Sequence, residues 1–189
     1  MAAKLLIING TSCAGKSSAA TYIADNAPYN FVHVSWDSFL DMLPADKTIS
    51  DDQNKDLVQR FLDHTCDRLS HGENLILDVV CVPTDTWQRL LTSYAPYTPF
   101  TVLFSSSPEQ LRAREEKRED RKNGQAEAQH QALFEQEDHP PYDIHIDTGL
   151  CSVTETGQAI LSGLQQKLSS KLSSQHQHTT NAPFKGPTP

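Results

Sequence analysis

Hydrophobic positions recur along this chain with two different periods. Five short runs are apolar or β-branched on both faces: Leu5–Asn9, Phe31–Ser35, Asn74–Val80, Phe100–Ser105 and Asp143–Asp147. Runs of this length and character predict buried parallel strands. Between them the apolar positions return at helical spacing. From Asp51 to Ser70, the residues Val58, Phe61, Leu62, Thr65, Cys66 and Leu69 fall on one stripe, and charges fill the other face. Ser50 with Gln53 predicts a capping box at the start of that helix, and Gly72 follows its end. Ser107 predicts an N-cap with Pro108 at the first helical position. Ser152 with Glu155 predicts the cap of a last helix, whose stripe is Ile160, Leu161, Leu164 and Leu168.

Strands alternating with helices predict an α/β fold, a five-stranded parallel sheet with helices on both faces. A length of 189 residues fits one domain. The predicted domain spans 1–172. Residues 173–189 carry almost no apolar side chain and are expected to form a disordered polar tail.

Ligands of such sheets sit beyond the carboxyl ends of the strands. The first run enters Gly10-Thr11-Ser12-Cys13-Ala14-Gly15-Lys16-Ser17, which fits G-x-x-x-x-G-K-[ST], and continues through Ser18 into a helix-compatible stretch. Gly10 and Gly15 let backbone N–H groups turn inward onto phosphates. Lys16 reaches the terminal phosphates as a point charge, and Ser17 can hold a magnesium ion. The other strand ends bring Asp37, the segment from Asp78 through Val80 to Pro83, Ser105 to Ser107, and Thr148 to Cys151 to the same edge.

Asp37 has two readings. It could accept a proton from a substrate hydroxyl or hold magnesium through water, or it could cap the short turn Ser38–Leu43. Asp78 interrupts the apolar run LILDVV, and a carboxylate there is costly unless paired or coordinated. It is either close to magnesium or substrate, or a hydrogen-bonded structural residue. The stretch LRAREEKREDRK is a dense basic block with acids between. On one continuous helix Arg114, Arg118 and Arg121 would share a side. The block is either a solvated, salt-bridged helix or a phosphate-facing lid, and Arg118 and Arg121 are better placed for the second role than Arg112. Cys13 lies near a helix N-terminus, which favours its thiolate. Trp36, Trp87 and Phe104 are candidates for an aromatic pocket or for core. His130 reads as an exposed helical residue and His139 as a loop residue.

A formal net charge of -8 argues against a general nucleic-acid binder. No apolar run approaches the roughly 18 residues of a membrane span. No signal peptide is visible, and the four scattered cysteines lack C-x-x-C spacing, so a reduced, cytoplasmic protein is expected. His176 and His178 form the one metal-like pair, within the polar tail. Nothing in the chain bears on oligomeric state.

The segments IINGTSCAGKSS, WDSFLDMLP, NLILDVV, REEKREDRKNGQAEAQ and YDIHIDTG together resemble the chloramphenicol phosphotransferase family of small phosphate-loop kinases, over about residues 4–150. The resemblance implies a three-layer kinase fold with an arginine-rich lid at about 112–136, and the use of ATP and Mg2+ to phosphorylate a small-molecule hydroxyl. It implies Asp37 as base, Lys16 and Ser17 at phosphates and metal, Arg118 and Arg121 in the lid, and Thr148 near the adenine loop. With the loop residues Gly10 to Ser18, Arg114 joins the expected nucleotide site; Trp36, Asp37, Asp78 and Val80 form the expected acceptor side. The chain departs from the family where Cys13 replaces the usual Ser, where Asp78 precedes Val79 rather than a second Asp, and in a longer link, FEQEDHPP. These departures leave the acceptor open. A nucleoside, sugar-acid or nucleotide-sugar kinase would share the nucleotide half, and so would a nucleotide-dependent switch without kinase activity.

Overall fold

The computed structural model describes residues 3–42, 51–81, 83–118, 124–134 and 141–179. Five strands form one parallel sheet: β1 (Leu5–Gly10), β2 (Phe31–Ser35), β3 (Asn74–Val79), β4 (Phe100–Ser105) and β5 (Ile144–Asp147), in the spatial order β2-β3-β1-β4-β5. β1 lies at the centre, with Ile8 opposite Asp78 on one side and Val102 on the other. Among the described residues seven α-helices connect or flank the strands: α1 (Lys16–Asn26), α2 (Trp36–Asp41), α3 (Asp51–Ser70), α4 (Thr84–Tyr94), α5 (Pro108–Glu115), α6 (Gln125–Phe134) and α7 (Val153–Thr179).

The side-chain period of two sorts β1 between two cores. Leu6 and Ile8 join Ile23, Phe100, Val102, Phe104, Ile160 and Leu164 under α1 and α7. Leu5 and Ile7 face the opposite way, onto Phe61, Leu62, Leu69, Trp87, Leu90 and Tyr94 of α3 and α4. All of β1 is buried, which is why its sequence shows no alternation. Each such aliphatic side chain contributes about 1.5–3 kcal/mol when fully buried.

Asn9 is the polar exception in β1, and it is fully satisfied. Its Oδ1 accepts from the backbone N–H of Gly10 at 2.9 Å and of Cys81 at 2.8 Å. Its Nδ2 donates to Cys81 O at 3.1 Å and to the Tyr142 hydroxyl at 2.9 Å. One amide thus ties the ends of β1 and β3 to the approach to β5. Burial there pushes the Cys81 thiol and the Tyr142 phenol each up to about 12.

The capping residues of α5 and α7 act as expected. Ser107 accepts from Gln110 N at 3.3 Å, and Gln110 Oε1 accepts from Ser107 N at 3.4 Å. Ser152 and Glu155 pair in the same way. Three expectations change. Ser35, not Asp37, caps α2, accepting from Ser38 N at 3.0 Å. The basic block is not one helix: α5 ends at Glu115, so Arg114 and Arg118 do not share a helical face. The cause is Glu115 itself, whose carboxylate accepts from Gly124 N at 2.6 Å and Ala126 N at 2.9 Å and so caps α6. Finally, α7 continues to Thr179, past the expected boundary at 172; no Pro or Gly interrupts the stretch that follows Leu164. Ser50, Pro44, Arg121, His139 and the Gln53, His176 and His178 side chains lie outside the described residues.

Candidate active site

The loop between β1 and α1 is shaped by backbone conformation. Gly10 has φ 155° and packs so closely on β4 that a Cβ would stand 2.8 Å from Phe104 O. Gly15 at φ 89° precedes α1 and leaves its N-terminus without a side-chain cap. That terminus, with no acid in its first turn, is open to an anion. Between the glycines, Cys13 adopts φ 61°, a conformation that costs a non-glycine residue about 1–2 kcal/mol.

The loop is braced from outside. Thr148 Oγ1 lies 2.8 Å from Ala14 O and 3.1 Å from Ser105 O. Arg114 donates from Nη1 to Cys13 O at 3.3 Å and from Nη2 to Thr148 O at 2.8 Å. From α6, Gln129 Oε1 accepts from Ser12 N at 2.7 Å. The structure therefore uses Arg114 and Thr148 to hold the cradle's carbonyls, while both still line the cleft beside it.

Inside the cradle, the buried Lys16 ammonium donates to Thr11 O at 2.9 Å and stands 3.6 Å from Asp78 Oδ1. Ser17 Oγ donates to Asp78 Oδ2 at 2.7 Å. His33 Nε2 is 3.5 Å from the same oxygen, too far for an aligned hydrogen bond. Burial alone would raise the Asp78 carboxyl, but His33, Lys16 and Ser17 together hold it below its ordinary value. Asp78 thus touches the loop residues Lys16 and Ser17 within the cleft that it shares with Trp36, Asp37 and Val80. Among the described residues, no group of three or more His, Cys, Asp or Glu side chains could hold a metal alone. Ser17 and Asp78 do fit magnesium, which takes one or two protein oxygens and completes its shell with phosphate oxygens and water.

Asp37 is exposed and lines one cleft with Lys16, Ser17, Ser18, Asp78 and Arg118. Two further spaces open from this region. One, of about 470 Å³, is lined by Gly15, Phe104, Arg114, Lys117, Arg118, Thr148 and Val153. The other, of about 140 Å³, shares Trp36 and Val80 with the cleft and is otherwise walled by Val58, Phe61, Val79, Cys81, Pro83 and Leu90, with Asn54 and Thr86 as its polar members. Trp36 is half-buried and edge-on to Phe61 at 5.3 Å. Trp87 is core, stacked on Tyr142 at 4.9 Å. Arg112 pairs with Glu127 at the surface, 2.9 Å away. His130 is half-buried against Phe134, its ring 4.7 Å away, rather than exposed.

The family model described as chloramphenicol phosphotransferase-like protein matches residues 3–165. The chain belongs to this family. No curated protein sequence matches it significantly. Among solved structures, a sugar kinase from Janibacter sp. superposes with a TM-score of 0.69 at 15% identity, over 86% of this chain and 95% of that one. A gluconokinase from Sinorhizobium meliloti gives 0.65 at 19% identity, over 92% and 98%. The APS kinase of Mycobacterium tuberculosis, in complex with AMPPNP and APS, gives 0.66 at 16% identity, over 86% and 98%. At these identities the likeness is one of fold, the phosphate-loop kinase architecture. Among the described residues no helix is long and apolar enough to cross a membrane.

Asn9, Glu115 and Gln129 were not among the residues expected to shape the site. An amide within an otherwise apolar strand was the available signal for Asn9. Glu115 and Gln129 had none.

Proposed function

We propose that this protein is an ATP-dependent kinase that phosphorylates a hydroxyl of a small, uncharged molecule. The observation that carries the proposal is the single cleft shared by Asp37, Lys16, Ser17, Asp78 and Arg118. A phosphate cradle with a solvent-reaching carboxylate opposite is the minimum equipment for in-line phosphoryl transfer.

In this reading the 470 Å³ space takes the nucleoside, and the phosphates run along Gly10–Ser18 onto the amino end of α1. Ser17 and Asp78 would hold Mg2+, which would supply positive charge against that of the phosphates. Lys16 and Arg118 stabilise charge on the phosphoryl oxygens in the transition state. Asp37 orients the acceptor hydroxyl and takes its proton as the new O–P bond forms and the bond to the ADP oxygen breaks. Positive charge from Lys16, Arg114, Lys117 and Arg118 gathers at this edge of an otherwise acidic chain and favours the nucleotide. The thiols of Cys66, Cys81 and Cys151 are not joined in disulfides, which supports a cytoplasmic setting.

The acceptor body belongs in the 140 Å³ space behind Trp36 and Val80. A sugar acid or other anion would call for a cationic partner, and among the described residues lining that space there is none. The reading therefore favours an alcohol with an apolar face over an anionic acceptor. A screen of neutral and anionic alcohols with γ-labelled ATP tests it. Label is expected in neutral acceptors. Transfer confined to anionic or nucleotide acceptors removes the acceptor assignment, and tight ATP binding with no transfer leaves a switch.

A further inference from the structure

The buried carboxylate of Asp78 is approached from two elements, and only one of them shares its cleft. From α1, Ser17 Oγ donates to Oδ2 at 2.7 Å, and the Lys16 ammonium stands 3.6 Å from Oδ1. From β2, His33 brings Nε2 to 3.5 Å from Oδ2. Asp78, Lys16 and Ser17 line the cleft, whereas His33 does not. We propose that His33 is a positioning residue, which holds the Asp78 carboxylate by its Nε2–H in the orientation that a magnesium ion beside Ser17 requires. This deepens the kinase reading and rests on it.

The strand register supplies the reach. Ser35 lies opposite Asp78 on β3 and His33 opposite Ile76, so the imidazole spans diagonally to the carboxylate. Nε2 is buried and has no hydrogen-bond partner among the described residues, although the side chain as a whole is 26% exposed. A buried ring nitrogen left unpaired is costly. The acceptor that faces it is Oδ2, and closing from 3.5 Å to a usual hydrogen-bond length takes a shift of about 0.6 Å. An ionised carboxylate only accepts, so it selects a form of the ring in which Nε2 carries a proton, whatever the state of Nδ1. Magnesium demands near-ideal octahedral geometry, so the angle at which each oxygen is presented decides affinity. Hydrogen-bond partners behind a ligating carboxylate fix that angle. Ser17 cannot do this alone, because its own oxygen is the other expected ligand. The same strand continues to the opposite wall: two residues beyond His33, Ser35 caps α2, the helix that carries Asp37.

The test is titration of Mn2+ into the full-length protein with the β,γ-imido analogue of ATP bound, for the unaltered chain, His33→Phe and His33→Gln. Phe keeps a ring at the half-buried site but offers no donor, whereas the Gln carboxamide nitrogen can reach the place of Nε2. Metal affinity is expected to fall about ten-fold in His33→Phe and to return most of the way in His33→Gln. Affinity for the metal-free analogue should be the same in all three, because the glycine loop and Lys16 are untouched. Unchanged metal affinity in His33→Phe, or an equal loss in His33→Gln, overturns the proposal. So does a matching loss of affinity for the metal-free analogue, the mark of a merely structural residue. A second measurement needs no stable variant. Nitrogen NMR of the histidine-labelled, unaltered protein should show the His33 ring with Nε2 protonated. A His33 ring whose single proton is on Nδ1 overturns the proposal even where His33→Phe fails to fold. Absence of any nucleotide affinity in the unaltered protein overturns the kinase reading itself, a distinct outcome.

Discussion

Ser17 Oγ and Asp78 Oδ2, 61 positions apart in sequence, meet at 2.7 Å at the mouth of the phosphate loop. The first residue comes from the start of α1 and the second from the end of β3. Their oxygens form the one built pair of hard ligands among the described loop contacts. Asp78→Asn keeps the hydrogen bond but removes the charge. It is expected to weaken divalent-ion affinity by about 10- to 100-fold. Titrating Mn2+ into the variant with the imido analogue bound checks this, and melting temperature checks that the fold survives.

Asp78 also sets an acid limit. Its carboxyl lies below the ordinary 3.8 because His33, Lys16 and Ser17 outweigh its burial. A lowered native value means that the unfolded chain takes up the proton first as pH falls. The stabilisation is therefore complete above 3.8 and declines as pH drops through the lower native value. Melting curves of the wild type and Asp78→Asn from pH 6 downward, about the range of carboxylate titration, should converge at the acid end.

Asp37 is exposed, and Ser35 does the capping of α2. Asp37→Asn should therefore leave the melting temperature and the ATP KM nearly unchanged. The loss should fall on kcat, by about a hundred- to ten-thousand-fold, the usual worth of a general base. Steady-state kinetics with the best acceptor from the screen measure it.

Gly10→Ala strains the backbone at φ 155° and drives a Cβ to 2.8 Å from Phe104 O and 2.9 Å from Phe104 Cβ. The neighbour is the backbone of the adjacent central strand and cannot step aside. A destabilisation of about 1–3 kcal/mol is expected. For a chain of this size that is a melting-temperature drop of about 2–12 °C, read by circular dichroism.

Glu115→Ala leaves the N–H groups of Gly124 and Ala126 without their acceptor. A loss of about 1–3 kcal/mol is expected, and Glu115→Gln should recover part of it by keeping one oxygen in place. Thermal melts of the two variants rank them.

The strands were legible because burial on both faces leaves an unbroken apolar run, and the capping residues because a cap is read over three or four positions. The phosphate loop was legible for the same reason: Gly10, Gly15, Lys16 and Ser17 are neighbours. What escaped notice was non-local. Asn9 reaches Cys81 and Gln129 reaches Ser12, 72 and 117 positions away; the lone amide in an apolar strand marks Asn9 but not its partner, and no local pattern marks Gln129. Glu115 lies nearer to its partners, but it is one acid of several in a charged stretch, and only its 2% exposure distinguishes it. The break between Arg114 and Arg118 follows from that burial, which is why helical spacing misjudged the basic block.

Because β1 stands in the middle of the order β2-β3-β1-β4-β5, the strand ends that carry Asp37 and Val80 are on one flank, and those that carry Thr148 and the Phe104 wall are on the other. The two flanks meet chiefly through the glycine loop. On the proposed kinase reading, a designer seeking a different alcohol can recut the Trp36 and Val80 wall while the proposed nucleotide flank stays as it is. On that reading the same division would let a lineage trade one acceptor for another without relearning how to grip its phosphate donor.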